Sequence, residues 1–128
     1  QFDNTTLIPM RGSRKKMMQS LLDGKMLCLA SDQNAGDRGT KISFFGKETS
    51  IPKGAAYFHY KTNSPIVVGF CILKKDYSYE FKLRPLNVIH DNDIKNICIE
   101  VNTKYSLLLE EEIKKYPEQY FWFHKKWG

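Results

Sequence analysis

The segment Ile66–Leu73, IVVGFCIL, carries no charged or amide side chain, and after the turn Lys74-Lys75-Asp76 the chain switches to strict alternation. A short run that is apolar throughout reads as a strand covered on both faces. In the alternating stretch, Tyr77, Tyr79, Phe81 and Leu83 fall on one face and Ser78, Glu80, Lys82 and Arg84 on the other. That period of two predicts a half-exposed strand, paired with its predecessor as a hairpin. Met26–Ala30, MLCLA, is a second short apolar run and predicts another strand covered on both faces.

Helical spacing surrounds these runs. Met17, Met18, Leu21 and Leu22 form a stripe within a helix over Arg11–Asp23, stopped by Gly24. A second helix is expected over Gly54–Lys61, and a third from Ile99 or Val101 to Lys115, with Pro117 ending it. Ile42–Phe45 reads as a short extended piece, and residues 86–96, which include His90, as a polar connection. The expected fold is α/β, a mixed sheet flanked by helices. Its 128 residues make one domain, with an aromatic–basic tail at 117–128.

The formal net charge of +6 favours anionic partners such as nucleic acid, anionic lipid headgroups or a phosphorylated substrate. No apolar stretch approaches the roughly 20 residues of a membrane-spanning helix. The three cysteines, Cys28, Cys71 and Cys98, lie in apolar runs without metal-type spacing and read as reduced, packed thiols. No G-x-S-x-G, P-loop, GxGxxG or HExxH is present, and His59, His90 and His124 are scattered.

Three groups could carry chemistry. Asp32-Gln33 leaves the end of the Met26–Ala30 run, the strand end at which α/β sheets bind ligands. Behind it, Gly36, Gly39 and Gly46 allow close backbone approach to a ligand or a positive φ; Asp32 could equally cap a turn. Arg11 and Arg14 near the start of the first helix offer planar forks for phosphate or carboxylate, beside Lys15 and Lys16 on a solvated face. The tail Tyr120–Trp127 mixes rings and cations, which suits a membrane interface, stacking on single-stranded nucleic acid, or docking onto the core.

Taken in order, these pieces resemble the bacterial lipid A biosynthesis acyltransferases of the lysophospholipid acyltransferase superfamily. The resemblance runs through Arg11 and Arg14, Leu21 with Gly24, Asp32-Gln33 with Gly36, and Phe44-Phe45-Gly46. It continues through Ser64-Pro65-Ile66-Val67-Val68, Glu110 and Pro117-Glu118-Gln119-Tyr120, and ends on Trp122-Phe123-His124-Lys125-Lys126-Trp127. It implies the C-terminal portion of a glycerolipid acyltransferase fold. The implied activity moves a fatty acyl chain from acyl-carrier protein to a lipid A precursor at the cytoplasmic face of the inner membrane. In the family a histidine within N-H-x-x-x-x-D/E is the general base. Here His59 is followed five residues on by Ser64 and His90 by Lys95, so the motif is absent. The chain therefore reads as a portion downstream of the motif and of a membrane anchor, inactive by itself.

The resemblance gives Asp32 a supporting catalytic role and gives substrate binding to Arg11, Arg14 and Gln33. It gives lipid contact to Trp122, His124, Lys125, Lys126 and Trp127. It implies no cofactor, metal or nucleic acid. Three departures stand out: Lys125-Lys126 where arginines are more usual, Gln33-Asn34-Ala35 where a second acid and a proline are, and Ser106 where asparagine often is. The alternatives are the same chemistry on a phosphatidylinositol mannoside-type glycolipid, or a non-catalytic basic module that binds anionic membrane or nucleic acid.

Overall fold

A computed structural model describes residues 4–9, 11–89 and 91–127; His90 lies outside them. The order is α1 (Arg14–Leu22), β1 (Thr40–Phe44), β2 (Lys47–Ile51), α2 (Gly54–Thr62), β3 (Ile66–Leu73), β4 (Tyr79–Leu86) and α3 (Ile94–Lys115). Single 3-10 turns occupy Gly36–Arg38 and Pro117–Gln119. The α/β class stands. Among the described residues, however, its β part is two separate antiparallel pairs, β1–β2 and β3–β4, rather than one mixed sheet.

The expected strand at Met26–Ala30 joins neither pair. Met26 is 86% exposed, and Cys28 and Leu29 are exposed with it. An apolar run becomes a buried strand only where a neighbouring strand satisfies its backbone groups, and no described strand pairs with this one. For a related reason only Cys98 is a packed thiol. Cys71 points out of β3 and is exposed, as Cys28 is.

Helix α3 organises the rest. It starts earlier than expected because the Asp93 carboxylate caps it, accepting the Lys95 N–H at 2.8 Å. Its apolar side joins two core clusters. One contains Ala56, Val68, Leu86, Ile97 and Val101; the other contains Ile42, Phe44, Ile51, Leu109 and Ile113. Four-residue spacing places Asn102, Ser106 and Glu110 on one stripe. Asn102 Nδ2 donates to the carbonyls of Ile51 and Pro52 at 3.4 Å, and Ser106 Oγ to that of Ser43 at 3.1 Å. Glu110 Oε1 accepts the Phe45 N–H at 2.7 Å.

That last bond holds the β1–β2 turn. Phe44 pairs with Lys47, leaving Phe45 and Gly46 as the two loop residues, with φ of 49° and 74°. Two successive positive φ values match the twist of a two-residue hairpin, and only the glycine takes its place without steric cost. Phe44 is fully buried beneath the turn.

The β3–β4 hairpin has the expected pairing, and the polar face of β4 is the one turned inward. Val68 faces Arg84 and Phe70 faces Lys82 on the inner side, while Cys71 faces Phe81 and Gly69 faces Leu83 on the outer side. Tyr79, Phe81 and Leu83 are 65%, 72% and 69% exposed. The physical reason is Glu112 on α3, which is 3% exposed. Its carboxylate meets Lys115 at 3.0 Å, and Lys82 and Arg84 at 3.2 Å each. Lys82 also reaches the Tyr116 hydroxyl at 3.2 Å. A buried carboxylate needs cations beside it, so the polar face of β4 turns inward.

Burial alone would raise the Glu112 carboxyl, but Lys115 and Lys82 outweigh it and hold the group below the ordinary glutamate value of 4.5. A depressed carboxyl contributes stability above that value and loses it as pH falls through it. Urea midpoints measured from pH 7 to pH 3 should therefore fall more steeply for the native chain than for Glu112→Gln. Near neutrality that variant should be less stable by about 2 kcal/mol. The inverted hairpin carries its own test. Phe81→Thr should change stability by no more than about 0.5 kcal/mol, as a surface site does; a loss of several kcal/mol would place Phe81 in the core.

Candidate functional site

The loop that carries Asp32 is tied at its far end to the β1–β2 hairpin. Ala35 N–H donates to the Ser50 carbonyl at 3.0 Å, and Ser50 Oγ to the Gly36 carbonyl at 2.5 Å. Asn34 Oδ1 accepts the Gly36 N–H at 2.7 Å, closing a local turn. The glycines serve this backbone. Gly36 takes φ of 57°, and a Cβ on Gly39 would lie 2.0 Å from Ser50 Oγ. Close approach of chain to chain explains Gly39, and positive φ explains Gly36 and Gly46.

The near end of the loop is held by the tail. Gln119 first fixes the tail to the end of β3: its amide accepts the Leu73 N–H and donates to the Leu73 carbonyl, both at 2.9 Å. His124 and Lys126 make inward bonds, while Phe121, Trp122, Phe123 and Lys125 are exposed. Trp122 Nε1 donates to the Pro117 carbonyl at 2.7 Å, and His124 Nε2 accepts the Asn34 N–H at 3.0 Å. Lys126 is 1% exposed, and its ammonium donates to the Asp32 carbonyl. The Lys126 carbonyl accepts from Asn34 Nδ2 at 2.8 Å and from Thr49 Oγ1 at 2.6 Å. Trp127 Nε1 donates to the Phe44 carbonyl at 3.2 Å, its ring 5.7 Å from that of Phe44.

These contacts revise the expected lipid-contact set. Lys126 is buried and His124 half-buried, and these two brace the loop, while the half-buried Trp127 is bonded to Phe44 of β1. Trp122 is 47% exposed and Lys125 is exposed; Phe123, at 92%, is the most exposed ring of the tail.

The charge of Asp32 reaches two tyrosines, Tyr120 of the aromatic tail and Tyr105 of α3, the second of which pattern reading had not singled out for the site. Burial raises the hydroxyls of Tyr105 and Tyr120, and the negative charge of Asp32 raises them further. Both therefore remain neutral donors at physiological pH. Burial lowers the Lys126 ammonium, and the Asp32 charge works against that shift. Helical spacing from Val101 and Leu109 puts Tyr105 on the inner side of α3, but nothing in the spacing tells what it meets there.

The other expected binding residues stand apart. Arg14 lies with its guanidinium 5.2 Å from the centre of the Tyr57 ring on α2, and it forms no ion pair with Asp32. Arg11 and Gln33 are exposed. Among the described residues no cluster of His, Cys, Asp and Glu could hold a metal, and no helix is long and apolar enough to cross a membrane.

The geometry therefore has an exposed carboxylate on a loop braced by the tail, whose charge is felt by the buried hydroxyls of Tyr105 and Tyr120, with Arg14 of α1 turned instead against Tyr57 of α2. The chain is 24% identical over 119 residues to the lipid A biosynthesis palmitoleoyltransferase of Escherichia coli (strain K12). It is equally similar to a lipid A biosynthesis acyltransferase of Shigella flexneri. Each match covers 91% of this chain and 38% of the relative, so the chain spans well under half the length of these proteins. A family model described as bacterial lipid A biosynthesis acyltransferase matches residues 1–128. On that match, the chain belongs to the bacterial lipid A biosynthesis acyltransferase family.

Proposed function

We propose that this chain forms the carboxylate-bearing, lipid-facing part of an acyltransferase that moves a fatty acyl chain from an acyl-carrier-protein thioester to a hydroxyl of a lipid A precursor. Family membership supports the reaction class. The observation that carries the assignment to this segment is the exposed Asp32 side chain on a backbone braced by Lys126 and His124. A carboxylate without a defined position cannot orient a base.

In the proposed reaction the acceptor hydroxyl loses its proton to a histidine from the N-H-x-x-x-x-D/E motif of the complete enzyme, and Asp32 helps organise that site. The oxygen attacks the thioester carbonyl, the C–S bond breaks, and the departing thiolate takes up a proton. Hydroxyl donors such as Tyr105 suit an oxyanion that develops beside them. Arg11 and Arg14 take phosphate groups of the lipid or of the carrier's prosthetic arm, with Gln33 as a neutral partner. The outward edge of the tail, Phe121, Phe123 and Lys125 with the exposed part of Trp122, sits at headgroup level on the cytoplasmic face of the inner membrane. The charge of +6 favours an anionic lipid and an acidic carrier alike.

In the complete protein that carries this segment, Asp32→Asn should lower kcat/KM for transfer from acyl-carrier protein to the lipid A precursor by about 10²-fold. The 128-residue chain alone, lacking the histidine motif, should give none; full transfer by the variant, or turnover by the chain alone, would overturn this reading. A second prediction concerns the brace. Lys126→Met keeps the aliphatic stem and removes the buried charge, so global stability should change by less than about 1 kcal/mol. Hydrogen exchange at the Asn34 amide should nonetheless accelerate roughly tenfold as the loop loosens, and transfer should fall with it.

A further inference from the structure

We propose that His124 is an acid-sensitive latch on the Asp32 loop: its imidazole holds the loop at Asn34 while Nε2 is unprotonated and releases it when that nitrogen takes up a proton. What release does to acyl transfer rests on the role proposed above for Asp32; the latch itself does not.

The Asn34 main-chain N–H donates to His124 Nε2 at 3.0 Å, across 90 positions of sequence. A main-chain amide nitrogen only donates, so the ring nitrogen that meets it must present a lone pair. The contact therefore exists only with a neutral imidazole whose proton sits on Nδ1. A proton on Nε2 sets one N–H against another at bonding distance, and the two must part. Among the described residues the Asn34 N–H has no second acceptor. The bond is part-buried and the ring half-buried. An amide left unpaired in such a place is costly, so the chain moves to let water in. Asn34 is the residue through which that movement spreads. Its Nδ2 donates to the Lys126 carbonyl at 2.8 Å, and its Oδ1 accepts the Gly36 N–H at 2.7 Å.

No charged neighbour accepts the Asn34 N–H in place of the ring. On the loop, the Asp32 side chain is exposed two residues before Asn34, and its main-chain carbonyl is taken by the Lys126 ammonium. Asp37 and Arg38 lie beyond, in the 3-10 turn. On β1 and β2, Lys41 and Glu48 pair with each other at 2.9 Å, and Lys47 is exposed. On α3, Glu110 holds the Phe45 N–H, with Lys114 4.0 Å from its carboxylate. Tyr105 of α3 and Tyr120 of the tail are neutral at physiological pH. The tail carries two cations next to the ring in sequence, the exposed Lys125 and the buried Lys126. A protonated His124 makes a third positive charge within three residues. Acid thus removes a bond and adds repulsion, and both act toward release.

The test is NMR of the 128-residue chain, native and His124→Gln, titrated from pH 8 to pH 5. A glutamine side-chain oxygen accepts an N–H throughout that range, so the variant keeps the bond and loses the switch. In the native chain the Asn34 amide proton should move upfield with the midpoint of the His124 ring protons, and the amides of residues 32–36 should follow. Protection of the Asn34 amide, corrected for its intrinsic exchange rate, should fall about tenfold from pH 7.5 to pH 5.5. In His124→Gln it should change by less than about twofold. A native Asn34 amide that stays still while the ring titrates would overturn the proposal. So would the same titration in His124→Gln, which would assign it to Asp32 or another group, and so would a ring that does not titrate above pH 5. In the complete protein, kcat/KM for transfer should drop through the same midpoint more steeply than in His124→Gln. Equal slopes, with the latch seen by NMR, would overturn the role given to Asp32 and leave the latch standing.

Discussion

The carboxylate of Glu112 sets the arrangement of half this protein. A charge held at 3% exposure must find cations close by, and α3 itself supplies only Lys115. The remaining partners come from β4, which presents Lys82 and Arg84 only if its polar side faces the helix. A shift of one residue in the hairpin register would exchange the faces and set Phe81 and Leu83 against the carboxylate. Electrostatics thus overrides the usual rule that the apolar face of an alternating strand turns inward.

The same helix positions the other half through neutral polar groups. Asn102, Ser106 and Glu110 meet main-chain carbonyls and one N–H of the β1–β2 hairpin and of the segment that leaves it. The hairpin then serves as the platform for the tail: Trp127 bonds to Phe44, and Thr49 bonds to the Lys126 carbonyl. The tail in turn braces the Asp32 loop. The candidate carboxylate depends, through these contacts, on residues nearly a hundred positions away in the chain.

Much of the candidate site was legible in the chain itself. Asp32 and the aromatic–basic tail were recognisable from residue type and spacing, and the family resemblance ordered them, whereas Arg14, read the same way, stands apart on Tyr57. The inward placement of His124 and Lys126 was not recognisable, because rings and cations look alike in sequence whether they meet water, lipid or protein. Likewise the glycines after Asp32 announced an unusual backbone without saying which neighbour required it. Ser50, packed against Gly39, is that neighbour for one of them.

Local order sufficed for the elements whose hydrogen bonds close within a short stretch. The stop of α1 before Gly24, the span of α2 and the eight residues of β3 follow from nearby chemistry, whereas β2 and the β1–β2 turn, held by the distant Glu110, were not read from the sequence. The family, too, was readable from the residues alone. Burial was not decided by the pattern. Met26–Ala30 and β3 are equally apolar, yet one is unpaired and the other has a partner strand and one covered face. Only the tertiary structure settled which apolar faces are covered and that Lys126 lies inside, because burial belongs to the contact and not to the residue. A side chain's free energy depends on the partner that replaces its water, and that partner is set by the whole fold.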